Sequence, residues 1–282
     1  MNRRLSIGMA IVLALLTAFV LAAIAAPWLA PFDPMRQSLL LRLRPPGSTM
    51  TTGPLAGQNF LLGTDDLGRD LLSRVLYGAR ASLLVAIVAV AVSLLIGTTL
   101  GLIAGWFRGW VAILIMRLVD TMLSIPAILL AILTVAVLGP GFLNLVLVLG
   151  LTRWPRYTRV AYAQTLQVAG LPYIRAAEMA GARTTRVLTR HILPNIAGPM
   201  MVVATSEFGL MILFEAGLSF LGLGIQPPNP SWGSIMAAGR QYVERAWWLT
   251  VFPGACLFTL VLCINLLGDW LRDQVDPRAV SR

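Results

Sequence analysis

Long apolar runs separated by short polar stretches set the pattern of this chain. The first run, Leu5 to Ala26, follows Arg3 and Arg4 and is 22 residues long. It exceeds the roughly 7–15 apolar residues of a signal peptide and matches the roughly 20 that span a bilayer. It is therefore read as a first transmembrane helix with its N-terminus inside; the small residues Ala22 to Ala26 leave signal-peptide processing as the alternative. Pro27, Pro31 and Pro34 end it, and residues 27–60, rich in Pro, Gly and Thr, form an extended external segment. Within Leu67 to Ala79, Leu67, Leu71, Leu72, Val75, Leu76 and Ala79 keep helical spacing while Arg69, Asp70 and Arg74 fall elsewhere on the wheel. That pattern predicts a separate amphipathic helix along the membrane surface.

Further spans are predicted at Ala81–Trp106 and at Val111–Leu138, the latter kinked by Pro126. After a tight turn at Gly139-Pro140-Gly141, a fourth span begins at Phe142 to Leu151 and is interrupted by Pro155. A polar, basic stretch at residues 171–199 then divides the apolar runs. Pro172 suits a first helical turn, no breaker lies between Ile174 and Ala180, and Gly181 can take a left-handed cap. A second helix, Arg183 to Ile192, is predicted to stop at Pro194. A fifth span covers Ile196–Leu223. Pro227-Pro228-Asn229-Pro230 stiffens the next loop, Ser231 caps a short helix reaching about Ala246, and Leu249–Leu267 is the last span.

Composition agrees with that pattern. The 282 residues are 57% hydrophobic and 12% charged, against roughly 25% charged in soluble domains. The class is all-α integral membrane, a single domain of six helices with both termini cytoplasmic. The net charge is +10, and all 22 basic residues are arginine. Seven of them (153, 156, 159, 175, 183, 186, 190) fall in a window whose only acid is Glu178, which places that loop in the cytoplasm. Arg36, Arg42, Arg44, Arg69, Arg74 and Arg80 lie on the opposite side, against that rule. No basic face interleaved with stacking aromatics appears, so nucleic acid is not an expected partner; membrane lipid is.

Absences narrow the chemistry. Without lysine the chain has no Walker A site of the usual kind. His191 is the only histidine, and Cys256 and Cys263, seven apart in an apolar run, read as buried fillers. No catalytic residue, cofactor site or metal site is assigned. Arg117 and Asp120, three apart, are expected to pair on one helix face. Glu207 and Glu215, eight apart in the fifth span, share a face and should avoid lipid. Either they line or gate a wet path through the bundle, or each pairs with an arginine of a neighbouring helix or with a partner subunit. Gly217, Gly222 and Gly224, with Ser219, permit close helix approach.

The spacing from Ala176-Ala177 through Gly181 to Leu193-Pro194 resembles the EAA loop of ABC importer permeases, with Arg175 where that pattern has Glu and His191 where it has an aliphatic residue. LGTDDLGRDLLSRVLYGARASL (62–83), EAGLSFLGLGIQPPNPSWG (215–233) and WWLTVFPGACLFTLVLCINLLGDWLRDQVDPR (247–278) resemble the peptide and nickel branch, and there the C-type of its two permeases. The resemblance implies a type I fold of six transmembrane helices, with residues 1–60 as an N-terminal helix and external segment and 61–282 as the permease domain. Its coupling loop, about 160–195, would dock on the ATPase through Arg175, Ala176, Ala177, Glu178, Gly181, Ala182, Arg183, Leu193 and Pro194. The implied setting is a bacterial cytoplasmic (inner) membrane. The implied partners are a homologous second permease, two ATP-binding subunits that carry ATP and Mg, and an extracytoplasmic substrate-binding protein. The chain itself would not be an enzyme. Dipeptides or oligopeptides are the expected cargo; nickel or another small solute, or a non-ABC secondary transporter, are the alternatives.

Overall fold

The computed structural model describes residues 7–49 and 57–275. Its helices are α1 (Ile7–Ile24), α2 (Ala26–Leu29), α3 (Leu71–Phe107), α4 (Gly109–Ser124), α5 (Ala127–Leu138), α6 (Phe142–Ala169), α7 (Pro172–Met179), α8 (Thr184–Val187), α9 (Leu193–Phe220), α10 (Trp232–Gly239) and α11 (Trp248–Val275). A two-stranded hairpin pairs β1 (Ser48–Thr49) with β2 (Asn59–Phe60), Ser48 opposite Phe60.

Length and apolarity qualify four segments to cross a membrane: Ile7–Ile24, Leu71–Phe107, Thr184–Phe220 and Trp248–Gln274. The α4–α5 pair is a fifth if its two halves count as one, although they meet at 88°. Pro126 explains the break, because it withholds an N–H from the ladder and forces Ile125 into an extended conformation.

Several boundaries differ from those read in the sequence. The amphipathic stretch and the second span are one helix: α3 runs 37 residues, about 55 Å, from a cap at Asp70. Nothing between Leu71 and Phe107 stops it, and the polar face that suggested a surface helix is instead covered by the preceding segment. Pro155 does not interrupt α6, which continues for 28 residues. A proline costs one ladder bond, which a helix gripped by neighbours tolerates. Pro194 likewise stops nothing. Residues 188–192 form a π-helical turn that joins α8 to α9, and the wider turn takes up the mismatch created by the ring that follows.

The grip on α6 comes from α3. Gly97, Gly101 and Gly105 are spaced four apart and face Tyr157, Ala161 and Thr165; a methyl at Gly105 would lie 2.6 Å from Thr165 Cβ, and those at Gly97 and Gly101 would run into Tyr157 and Ala161. The backbones approach as closely as small residues allow. A central buried cluster that includes Leu71, Leu83, Leu149, Ile212, Trp232 and Leu249 unites α3, α6, α9, α10 and α11. Met9, Val12 and Cys263 hold α1 against α11, so Cys263 is packing, as its apolar setting suggested.

The ends of the bundle differ. At one, Trp106 in the last turn of α3 and Arg108 just past it line a recess with Ala169 of α6 and Arg175 and Glu178 of α7. At the other, residues 30–49 and 57–70 fold over the start of α3. Asp65 ties that end together: it accepts from the amides of Leu67 and Arg69, both 2.9 Å, and pairs with Arg69 Nε at 2.6 Å and Arg74 Nε at 3.3 Å. Trp248 Nε1 donates to Thr64 O at 3.1 Å, joining α11 to the same cap, and Trp232 Nε1 donates to Val75 O at 3.0 Å, joining α10 to the first turns of α3. Arg42 donates to Tyr242 Oη at 3.0 Å. Three of the arginines that offended the charge rule are thus bonded locally. Ser231 caps α10 with Ser234 in a reciprocal box, though the helix ends at Gly239 rather than near Ala246.

Candidate coupling site

Residues 171–196 form a rigid elbow with an exposed rim. Pro172 opens α7 at its first turn, and Ile174 points inward. The helix closes with a six-to-one bond from Ala182 N to Ala177 O (3.1 Å) and a five-to-two bond from Gly181 N to Glu178 O (2.9 Å). This is a Schellman cap, and Gly181 has the left-handed φ of +80° that it requires. The chain then turns back into α8. Ile174, Val187, Ile192 and Ile196 are buried with Tyr157, Ala161 and Met200, which fastens both arms of the elbow to α6 and α9. Asn195 Nδ2 donates to Tyr173 Oη at 2.9 Å and to His191 O at 2.6 Å, locking α7 to the start of α9.

The residues left outward are those the sequence singled out. Arg175, Ala176, Glu178, Gly181, Arg183, Leu193 and Pro194 are exposed, and Ala177 and Ala182 are half-buried. Ala177, Gly181, Ala182, Arg186 and His191 line a concavity of about 410 Å³ between the two arms. Sequence reasoning missed Met179, whose side chain is 85% exposed at the tip. It stands as an apolar knob beside the concavity that Arg186 and His191 line. The available signal was a large apolar residue just before the helix-ending glycine.

The two span glutamates sit far from this rim in role. Glu207 is 2% exposed. Arg153 Nη2 reaches its Oε2 at 2.7 Å and Arg156 Nη1 its Oε1 at 3.1 Å, so the carboxylate joins α6 to α9. Arg153 also stacks over the Phe214 ring at 5.2 Å. The pairing alternative therefore describes Glu207. Glu215, fully buried, finds no arginine among the described residues: Ser82 Oγ donates to Oε2 at 2.6 Å and Ser219 Oγ to Oε1 at 2.7 Å, joining α3 to α9. Arg117 and Asp120 do not pair. Asp120 bonds Arg159 of α6 at 2.6 Å instead, an exposed contact across two helices.

The profile of the binding-protein-dependent transport system inner membrane component matches residues 97–281, and that of the N-terminal TM domain of oligopeptide transport permease C matches residues 7–46. The chain belongs to this family of ABC importer permeases. Among its relatives, the di/tripeptide transport system permease protein DppC of Pseudomonas aeruginosa (strain UCBPP-PA14) is 46% identical over 92% of this permease and 84% of its own length. The dipeptide transport system permease protein DppC of Escherichia coli (strain K12) is 44% identical over 91% and 84%, respectively. The probable D,D-dipeptide transport system permease protein DdpC of the same organism is 39% identical over 92% and 84%. The fold is also that of the MetNI methionine ABC transporter in an inward-facing form, with a TM-score of 0.58 and 19% identity over 73% of this chain and 98% of that one. Membership in the family makes this chain a membrane-embedded permease subunit of C type.

Proposed function

We propose that this permease forms the translocation pathway of an ATP-driven importer together with a second, homologous permease, and that two cytoplasmic ATPase subunits bearing ATP and Mg dock on its elbow. The observation that carries the reading is the elbow itself: a short helix and a returning turn, held from behind by four buried aliphatic side chains and capped by Gly181. A part so fastened transmits a push to α6 and α9 as a rigid body. Arg175, Ala176, Ala177, Glu178, Gly181, Ala182, Arg183, Leu193 and Pro194 are its contact set, with Met179 added as the central knob.

We count six spans: α1, α3, the broken α4–α5 pair, α6, the α8–α9 run and α11. α6 joins them because the Glu207 carboxylate neutralises Arg153 inside the bundle, which removes most of the cost of a buried arginine. The elbow's end is cytoplasmic, both termini lie with it, and the α10 end receives an external binding protein. Residues 1–60 serve as an N-terminal anchor, and 61–282 as the permease domain. Glu207 and Glu215 act as braces within the protomer rather than as path linings, since every carboxylate oxygen is bonded within the chain.

Short peptides are the cargo, because the relatives named for a substrate are peptide and dipeptide permeases; this favours peptides over nickel. Uptake of labelled dipeptide into vesicles holding the full set of subunits tests the reading. The expected result is accumulation that requires both ATP and the binding protein. Uptake driven by an ion gradient without the ATPases would restore the secondary transporter.

A further inference from the structure

A groove of about 670 Å³ lies between α1, α3, α9 and α11, within the roughly 300–1,000 Å³ typical of ligand sites. Its walls are apolar, Ile24, Ile87, Val90, Phe208 and Ile264 among them, and Arg80 is its one charged lining residue. The only other polar group, the Thr205 hydroxyl, is taken by Val202 O at 2.9 Å. The groove is open to its surroundings, with Val20 46% and Ile87 51% exposed. Among the described residues the Arg80 guanidinium has neither an acidic partner nor a hydrogen bond, unlike Arg69, Arg74 and Arg153.

Two lengths locate this arginine. α1 has 18 residues, about 27 Å, which nearly matches the roughly 30 Å hydrocarbon layer. Ile24 at its end therefore lies near the headgroup boundary, and Arg80 lines the groove beside that end. From Arg80 to Val90 the lining follows α3 for about 15 Å, which is the depth of one leaflet.

We propose that the groove holds one anionic glycerophospholipid of the leaflet opposite the elbow, its phosphate on Arg80 and an acyl chain along α3. Apolar walls alone select nothing, because bulk lipid offers the chain the same surroundings. Selection comes from the arginine, whose fork donates to two phosphate oxygens and whose charge favours a headgroup of net negative charge. A single basic group at the surface gives about a fivefold preference for anionic over zwitterionic lipid.

The full chain is placed in phosphatidylcholine vesicles containing a minor fraction of either phosphatidylglycerol or phosphatidylcholine with a photoreactive acyl chain. After illumination the labelled residues are mapped. The proposal expects label at Val20, Ile87 and Phe208, about fivefold more from phosphatidylglycerol. Arg80→Gln should erase that preference, and Arg80→Lys should keep most of it. Should Arg80→Gln fail to fold, the wild-type melting temperature decides: phosphatidylglycerol must raise it above its value in phosphatidylcholine, and Arg80→Lys must show the same rise. Equal labelling by the two lipids, or a preference that survives Arg80→Gln, overturns the proposal. So does loss of groove labelling when a second permease is co-assembled, which would show that protein, not lipid, fills it.

Discussion

Removing the Glu207 carboxylate should destabilise the permease far more than removing its whole ion pair. In Glu207→Leu, Arg153 remains buried, its side chain 7% exposed, with its counter-charge gone. An uncompensated buried charge costs about 3–5 kcal/mol. The Arg156 contact adds little, because that side chain is 54% exposed and screened, and exposed pairs contribute about 0–1 kcal/mol. In Arg153→Leu/Glu207→Leu no charge is stranded, and apolar replacement of a buried pair ranges from neutral to stabilising. Double-mutant coupling of several kcal/mol is therefore expected, measured by thermal or denaturant unfolding of the purified chain followed by tryptophan fluorescence. If the double variant is as unstable as Glu207→Leu, or if Glu207→Leu costs less than about 1 kcal/mol, Glu207 is not the brace between α6 and α9.

Other perturbations separate the remaining parts. Gly101→Ala should cost about 1–3 kcal/mol by overpacking, since the new methyl meets Ala161 and lies 2.7 Å from Thr158 O; unfolding midpoints and membrane yield report it. Burial raises the Asp70 carboxyl above its ordinary range, the largest of several influences, against hydrogen bonds from Ser73 that lower it. A raised native pKa means that the native state holds its proton longer than the unfolded chain, so the contribution of Asp70 to stability falls as pH rises from the ordinary carboxylate range through the raised value. Asp70→Asn keeps a capping oxygen and should flatten that part of the pH–stability curve, whereas Asp70→Ala loses the cap at about 0.5–2 kcal/mol. Met179→Asp should leave the fold intact, because the side chain touches solvent, while lowering the affinity of the permease for its ATPase subunits in a pull-down.

The apolar runs pointed to the four helical segments long and apolar enough to cross a membrane, and to the bent α4–α5 pair, because bilayer thickness sets a length that sequence alone can meet. The first arm of the elbow was legible for the same local reason: a proline at the first turn and a glycine at the cap. What escaped depends on neighbours. Pro155 and Pro194 read as stops, yet one lies in a helix gripped by Gly97, Gly101 and Gly105, and the other follows a π-turn that absorbs its misfit. Arg117 and Asp120 were close in sequence, but Arg159 of another helix was the nearer partner in space. Nothing in the sequence singles out Asp65 between Thr64 and Asp66, and only the fold shows Arg69 and Arg74 converging on it.

ATP hydrolysis by the assembled importer, stimulated by peptide-loaded binding protein, tests the elbow most directly. The comparison is wild type against Gly181→Pro, since a proline holds φ near −65° where the elbow needs +80°. The account predicts that the complex still inserts and retains basal hydrolysis, while stimulation and dipeptide uptake are lost. Stimulation at the wild-type level in that variant would mean that the elbow only anchors the chain and does not transmit the stroke.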